Sequence, residues 1–347
     1  MARRPVNLIQ VTMKISEMGE FGLIEHIKEV LDQELPQNSL GIGDDCAILP
    51  EARNRILVTT DLLMEGVHFL KSAISPKDLG HKSLAVNLSD IAGMGGTSTY
   101  AFVSIALPED MEVEWVSSFY EGLRNLARKY NISVLGGDTT RSLNGITINI
   151  TLLGETDGRV KLRSSAKKRD LICVTRTLGD SAGGLQIILN QIAQDSPASQ
   201  YLVKCHHHPK PQVEEGQWLG QQENVHAMMD VSDGIGSDLK RIMEQSECGA
   251  RVDLEKIPLS DQLRLKAKEQ GWDPFELAVS GGEDYCLLLT VDRTSYPSIA
   301  DEFRKQFNLP LYAIGEITSD QGKLNCLLNG VPHPLSSSGF DHFRKTK

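Results

Sequence analysis

Residues 145–155 read GITINITLLGE, and this stretch decides the class of fold. Ile146, Ile148, Ile150 and Leu152 alternate with Thr147, Asn149 and Thr151, the two-residue period of a strand with one face buried. Its apolar face asks for a partner surface. Working upstream, ISVLGGD (132–138) reads as a strand ending in two glycines and an acid, residues 112–130 as a helix, and AFVSIAL (101–107) as another strand. A helix over 78–92 runs into the glycines at 95–96, and a short strand covers 56–60 after a Gly/Asp turn at 41–45. The helix over 20–35 places Leu23, Ile24, Ile27, Val30 and Leu31 on one face and stops at Pro36. The first twelve residues read as an extension ahead of Met13.

Downstream the composition changes. DGRVKLRSSAKKRD (157–170) is polar and basic, as suits a crossover between domains. Strands follow at 171–177, 224–230, 250–254, 286–291 and 312–317, with helices from Asp180 to about 193 and over 234–247, 260–270 and 297–307. Residues 194–213, with three prolines and three consecutive histidines, read as loop. Strands and helices mix in both halves, which predicts an α/β protein with mixed sheets in two domains, 14–160 and 165–347.

A chain of 347 residues is long enough for two such cores. Its 40% hydrophobic and 24% charged residues are ordinary globular usage. No apolar run approaches the ~20 residues that span a bilayer, and the start lacks the apolar core of a signal peptide. Six scattered cysteines form no CxxC pair, which predicts reduced thiols and a cytoplasmic protein. A net charge of −10 disfavours binding to nucleic-acid phosphates. A phosphate ligand would need a cation between itself and the protein.

The chemistry-bearing feature is a set of acids beside strands and glycine turns: Asp44, Asp45, Asp61, Asp90, Asp138, Asp230, Asp233, Glu283 and Asp284. Any one of them reads first as a turn residue or helix cap. As a set recurring in both halves they predict a converging carboxylate cluster. Two carboxylates ~4 Å apart repel by about 4 kcal/mol at an effective dielectric of 20, so such a cluster must be protonated or hold cations. Oxygen-only ligation points to Mg2+, which is usually completed by substrate phosphates, with Thr59, Thr60, Ser89 and Ser232 as neighbouring hydroxyls. The glycine pairs at 95–96, 136–137 and 281–282 match neither GxxxxGK[ST] nor GxGxxG. No GxSxG elbow is present, and His206, His207 and His208 lie between prolines as a loop would.

Nine motifs occur in order: GEFGLI (19–24), GIGDDCA (41–47), TTDLLMEGVHF (59–69), NLSDIAGMGG (87–96), GGDTTR (136–141), LRSSAKKRD (162–170), MDVSDGIGSD (229–238), SGGEDYCLL (280–288) and GFDHF (339–343). Together they resemble the thiamine-monophosphate kinase family of the aminoimidazole-ribonucleotide-synthetase-like superfamily, over about residues 14–343. The resemblance implies a two-domain architecture whose N-terminal sheet pairs with that of a second subunit, and transfer of a phosphoryl group from ATP to thiamine phosphate. It implies that Asp45, Thr59, Thr60, Asp61, Asp90, Asp138, Asp230 and Asp233 hold several Mg2+ ions. It implies that Tyr120, Gly137, Arg163 and Ser232 contact ATP, and that His68, Glu283 and Phe340 contact thiamine phosphate. Phe340 stands where the family often has Trp or Tyr, keeping the stacking surface without a polar handle. No covalent protein nucleophile is implied. The competing readings are a selenophosphate synthetase, a cyclo-ligase and a non-catalytic maturation protein of the same superfamily. Cys46 follows the aspartates, where this kinase family has a small residue, and the chain ends without the maturation type's cysteine tail.

Overall fold

The computed structural model describes residues 44–45, 47–49, 55–157, 159–333 and 339. The expected helix at 20–35, Cys46 and Phe340 lie outside them.

Alternation builds the first sheet. It comprises β1 (Ala47–Leu49), β2 (Arg55–Met64), β3 (Thr97–Leu107), β4 (Ser133–Arg141) and β5 (Thr147–Thr156), in the order β1-β2-β5-β3-β4. The β5 residues Ile148, Ile150 and Leu152 are fully buried, in a row with Leu57 and Leu63 of β2 and Val103 and Ile105 of β3. Two helices complete this core: α1 (Pro76–Gly93) and α2 (Val113–Lys129). The partner surface that the apolar face of β5 asks for is therefore supplied within the chain, so that face gives no support to pairing with a second copy. The opposite face is open and carries Leu62, Met64, Tyr100 and Phe102, each at least 39% exposed.

Helix α1 starts where Ser75 accepts a hydrogen bond from Asp78 N, with Pro76 in the first turn. It is buried all round: Leu79, Leu84, Leu88 and Ile91, but also Lys82, Ser83, Asn87 and Ser89. A helix buried on every side lies between two layers. Here α1 packs on β2 and β5 of the first sheet and on β7 (Val225–Asp230) of the second.

The second sheet contains β6 (Leu171–Val174), β7, β8 (Gly249–Asp253), β9 (Leu287–Val291), β10 (Tyr312–Thr318), β11 (Leu324–Leu328) and β12 (Val331–Pro332), in the order β12-β11-β8-β10-β6-β9-β7. Every residue of β9 is buried, because it sits inside the sheet with cores on both faces: Leu288 in one, Leu287, Leu289 and Val291 in the other. The helices of this half are α3 (Asp180–Leu189), α4 (Pro197–His207), α5 (Val213–Gly220), α6 (Ile235–Gln245), α7 (Asp261–Gln270), α8 (Pro274–Ser280) and α9 (Tyr296–Phe307).

Several elements differ from the sequence reading. The stretch expected to be loop contains α4 and the start of α5. Ser196 caps α4 by accepting from Ser199 N, and Pro197 is a first-turn proline rather than a breaker. Helix α3 ends at Leu189, four residues short of expectation, where Asn190 caps it and Gln191 takes φ 51°. Strand β2 extends to Met64, so Asp61 lies within a strand and not at its end.

Candidate active site

Three carboxylates from three segments meet where the two sheets approach. Asp90 comes from the last turn of α1, Asp230 from the end of β7, and Asp45 from the turn before β1; one oxygen of each lies within 4.8 Å of the others. Asp61 faces the same way on β2, the direction of buried Leu57, Thr59 and Leu63. The Thr59 hydroxyl donates to Asp90 Oδ2 at 2.5 Å. Burial, then repulsion from Asp230, pushes Asp61 up to about 7. Asp90 is raised well above the carboxylate range by burial and by Asp61 and Asp230. Burial also raises Asp230, with Ser89 and Arg163 opposing. Buried Asp45 Oδ2 and Asp230 Oδ2 have no hydrogen-bond partner among the described residues. Added at Gly93, a Cβ would lie 2.7 Å from Asp45 Oδ2, so the bare glycine leaves that oxygen its space. Unsatisfied, mutually repelling, oxygen-only groups around a small gap fit Mg2+.

The cation that pairs with this cluster is Arg163, in the 3-10 turn Arg163–Ser165. Its guanidinium pairs with Asp44 through Nε at 3.5 Å and with Asp45 through Nη2. Its backbone N–H donates to Asp44 Oδ2 at 3.2 Å. Burial lifts Asp44 to about 6 although Arg163 opposes the rise. The basic crossover delivers this arginine. Lys161 Nζ donates to the carbonyls of Gln222 (2.6 Å) and Val225 (2.7 Å), and Ser246 Oγ donates to the Arg163 carbonyl (2.7 Å).

Two expected ligands stand elsewhere. The Thr60 side chain is on the open face of the first sheet, where its hydroxyl accepts from Asn149 Nδ2 at 2.9 Å and lies 3.2 Å from Thr151 Oγ1. Asp138 is exposed on edge strand β4, in register with Ser104, which pairs with Asn149 on the same open face. Strand parity separates both from the carboxylate triad. Gly137, beside Asp138, has φ 146°, and a Cβ there would meet the Val103 carbonyl oxygen at 1.7 Å. Tyr120 is half-buried on α2, edge-on to Phe119 with ring centroids 5.3 Å apart.

On the second sheet, two motif loops are zipped together beyond the strand ends. Val231 N donates to the Cys286 carbonyl at 2.9 Å, Tyr285 N to Val231 at 2.9 Å, and Glu283 N to Ser232 at 2.7 Å. Glu283 (φ 65°) and Tyr285 (φ 46°) occupy the left-handed region, which non-glycine residues hold only when their surroundings enforce it. Buried Tyr285 lies among the acids, and Ser232 N and Asp233 N both donate to the Asp238 carboxylate, at 3.1 and 3.3 Å. Glu283 reaches Lys82 Nζ at 3.0 Å and His206 Nδ1 at 3.2 Å. Burial raises the Glu283 carboxyl, but Lys82, His206 and His68 more than offset it and hold it below the usual range. His68 accepts from Met64 N through Nδ1 at 2.9 Å. Gly339 lies against this region, since a Cβ on it would sit 2.4 Å from Ser237 Cβ and 3.0 Å from the Asp233 carbonyl oxygen.

Sequence reasoning missed Lys82 and His206. Lys82 is fully buried in α1 and His206 is 5% exposed in α4. The signal for Lys82 was a lysine near the start of a helix whose residues 83–93 carry no other cation. Two of the three histidines have separate polar partners. His206 takes Glu283 and Ser181, and His208 bonds Asp78 at 3.0 Å and stacks on His81 at 3.5 Å. Asp284 caps α3 by accepting from Gly179 N and Ser181 N.

This architecture, with acids gathered from both halves, defines a class. The chain matches the family model "AIR synthase related protein, N-terminal domain" over residues 43–156 and "AIR synthase related protein, C-terminal domain" over 169–325. It is 39% identical to the thiamine-monophosphate kinase of Escherichia coli (strain K12), covering 94% of this chain and 98% of that protein. It is 39% identical to that of Haemophilus influenzae, covering 95% and 99%. The solved structure of AaThiL complexed with AMPPCP and TMP superposes with a TM-score of 0.82 at 34% identity, covering 96% of this chain and 100% of that one. The chain belongs to the thiamine-monophosphate kinase family. The hydrogenase maturation protein HypE of E. coli shares the fold alone, at 18% identity and a TM-score of 0.67 over 90% of this chain and 96% of that one.

Proposed function

We propose that this chain transfers the terminal phosphoryl group of ATP to thiamine phosphate, giving ADP and thiamine diphosphate, in one in-line step. The observation that carries the reading is the carboxylate triad Asp45, Asp90 and Asp230 with two buried oxygens that lack a hydrogen-bond partner among the described residues, in a chain of this family. Asp61 and Thr59 extend the triad, and Asp233 lies beyond Asp230 as a further ligand. In this reading Thr60 and Asp138 are ligands on the open face. Bound magnesium supplies charge neutralisation and orientation for the phosphate oxygens.

The chain's own groups do the rest. Arg163 uses two of its guanidinium nitrogens on Asp44 and Asp45, and its remaining N–H donors are available to ATP phosphate. Tyr120, Gly137 and Ser232 complete the ATP contacts. His68 and Glu283 hold thiamine phosphate. The Lys82 pair keeps Glu283 ionised, which suits a cationic heterocycle. In this reading Phe340, next in sequence to Gly339, contacts thiamine phosphate; Gly339 itself packs on Asp233 and Ser237. No strong base is required, because a phosphate with a second pKa of about 6 attacks as the anion.

The division at about residues 161–164 and a homodimer through the first sheet belong to the same reading. Leu62, Tyr100 and Phe102 on the open face support the dimer. No described helix is long and apolar enough to cross a membrane. We place the reaction in the cytoplasm on the free thiols of Cys173, Cys205, Cys248, Cys286 and Cys326. The test is ADP release with Mg2+ and either thiamine phosphate or thiamine. Turnover with thiamine phosphate alone is expected, and equal or greater turnover with thiamine would overturn the reading.

A further inference from the structure

A cavity of about 380 Å3 opens between α1, α2 and the chain around residues 208–215. Its wall carries Lys77, Lys129, Arg176 and Lys210, with the stacked pair His81 and His208. Glu214 and Glu215 are its only carboxylates among the described residues, so cations dominate a cavity in a chain of net charge −10. No member of the acid triad lines it.

The cations are not consumed by the fold. Arg176 and Lys210 make no side-chain hydrogen bond or ion pair among the described residues. Lys77 reaches Glu121 only at 3.8 Å, with both side chains more than half exposed. Lys129 donates to the Tyr130 hydroxyl at 2.8 Å, a neutral partner. The imidazole wall is fixed: His81 Nε2 donates to the Pro209 carbonyl at 2.7 Å, and His208 is held by Asp78. Leu126, Tyr130 and Pro211 supply an apolar side. Four cations against two carboxylates leave the charge of a dianion unmatched, and a phosphate monoester is close to a dianion at neutral pH. An unpaired guanidinium offers the fork that binds phosphate oxygens. The volume is within the range of small-molecule pockets, about 300–1,000 Å3.

We propose that this cavity is a second binding site, for a small organic phosphate, which works without metal and is separate from the acidic site. At the acidic site an anion needs a cation as intermediary, whereas here the protein supplies the charge. Chelation therefore separates the two.

Titration calorimetry of the full chain with inorganic diphosphate in excess EDTA tests it. One diphosphate per chain is expected. Arg176→Gln and Lys210→Gln should each weaken binding by about tenfold, the loss of one charge-assisted contact. Lys210→Gln removes no hydrogen-bond or ion-pair partner from a described residue, so an unchanged melting temperature and unchanged turnover with Mg-ATP are expected for it; Arg176→Gln also removes a charge that offsets the burial of Glu215, so it should lower the melting temperature slightly and leave turnover unchanged. If one variant fails to fold, the other carries the test. Phenyl phosphate should bind more tightly than inorganic phosphate, because the Leu126, Tyr130 and Pro211 side accepts its ring. Absence of diphosphate binding at millimolar concentration would overturn the site, and so would binding that ignores both substitutions. Equal affinity for the two monophosphates would overturn its organic part. Kinase activity enters none of these readouts, so failure here leaves the phosphoryl-transfer reading standing.

Discussion

Replacing Lys82 by Met should cost about 3 kcal/mol of folding stability and reverse its pH dependence at Glu283. Met matches the length of the lysine stem, so packing in α1 is kept and only the charge is lost. Lys82 is fully buried and sits 3.0 and 3.1 Å from the two Glu283 oxygens. Removing one partner of a buried pair costs about 3–5 kcal/mol, because the other charge stays buried and unpaired. The Glu283 side chain is 25% exposed, so the low end applies. His206 is a poor replacement at pH 7, since burial is the largest cause holding it below the usual imidazole range and remains when Lys82 is gone. In the wild type, Glu283 titrates below its unfolded value of 4.5. Its contribution is therefore present above that value and lost as pH falls through the folded pKa. Without Lys82, burial dominates and raises the carboxyl, so the folded state binds the proton more tightly and acidification from pH 7 stabilises the variant relative to wild type. Urea denaturation at pH 5 and pH 7 measures both effects, and adding Glu283→Gln to the Lys82→Met variant should recover most of the loss. A cost below about 1 kcal/mol, or no recovery in the double variant, would refute the reasoning.

Stabilisation by Mg2+ should grow between pH 6.5 and 8. Asp61, raised to about 7, favours the folded metal-free state when protonated and loses that advantage as pH rises through 7. Melting temperatures with Mg2+ and with EDTA test this, and a difference that shrinks with pH would count against the metal site. Thr59→Val should lower kcat at least about tenfold by freeing Asp90, and steady-state turnover at saturating Mg2+ checks it. Gly137→Ala should cost more than about 2 kcal/mol, since the Cβ would meet the Val103 carbonyl at 1.7 Å and the φ is 146°; a melting temperature within about 2 degrees of wild type would contradict it. Phe102→Asp should yield monomers by light scattering while the fold stays intact, because the side chain stands 39% exposed on the open face; a dimer in that variant would move the interface elsewhere.

Local pattern sufficed where burial follows period. The strand at 145–155 was legible because one face is dry and the other is not, and the structure buries Ile146, Ile148, Ile150 and Leu152 to 1% or less. The acids were legible as a set only in part: Asp45, Asp90 and Asp230 meet, whereas Asp284 caps a helix and Asp138 stands on the open face, placements that pattern alone does not separate. Residues 194–213 were misread for a physical reason. Pro197 counts as a breaker inside a helix but is favourable in its first turn, and the difference depends on Ser196 ahead of it. Lys82 was invisible as a functional residue because its partner, Glu283, is 201 positions away and is brought to it only by the second sheet's loops.

The placement of Thr59, Thr60 and Asp61 shows where motif resemblance and geometry part. A motif carries residues as a string, and a strand turns each successive side chain to the opposite face. Once β2 is extended to Met64, Thr59 and Asp61 share the buried face with the triad, and Thr60 cannot join them by its side chain. The same parity, carried through the register from Asn149 to Ser104 to Asp138, puts Asp138 beside Thr60 on the face that also bears the exposed Leu62 and Phe102. The ligand set inherited as one list is therefore two groups separated by the thickness of a sheet. The inner group is completed by α1 and β7 within one chain. The outer group looks onto the surface proposed to meet a second copy, so its role in catalysis and the existence of the dimer stand as one physical question rather than two.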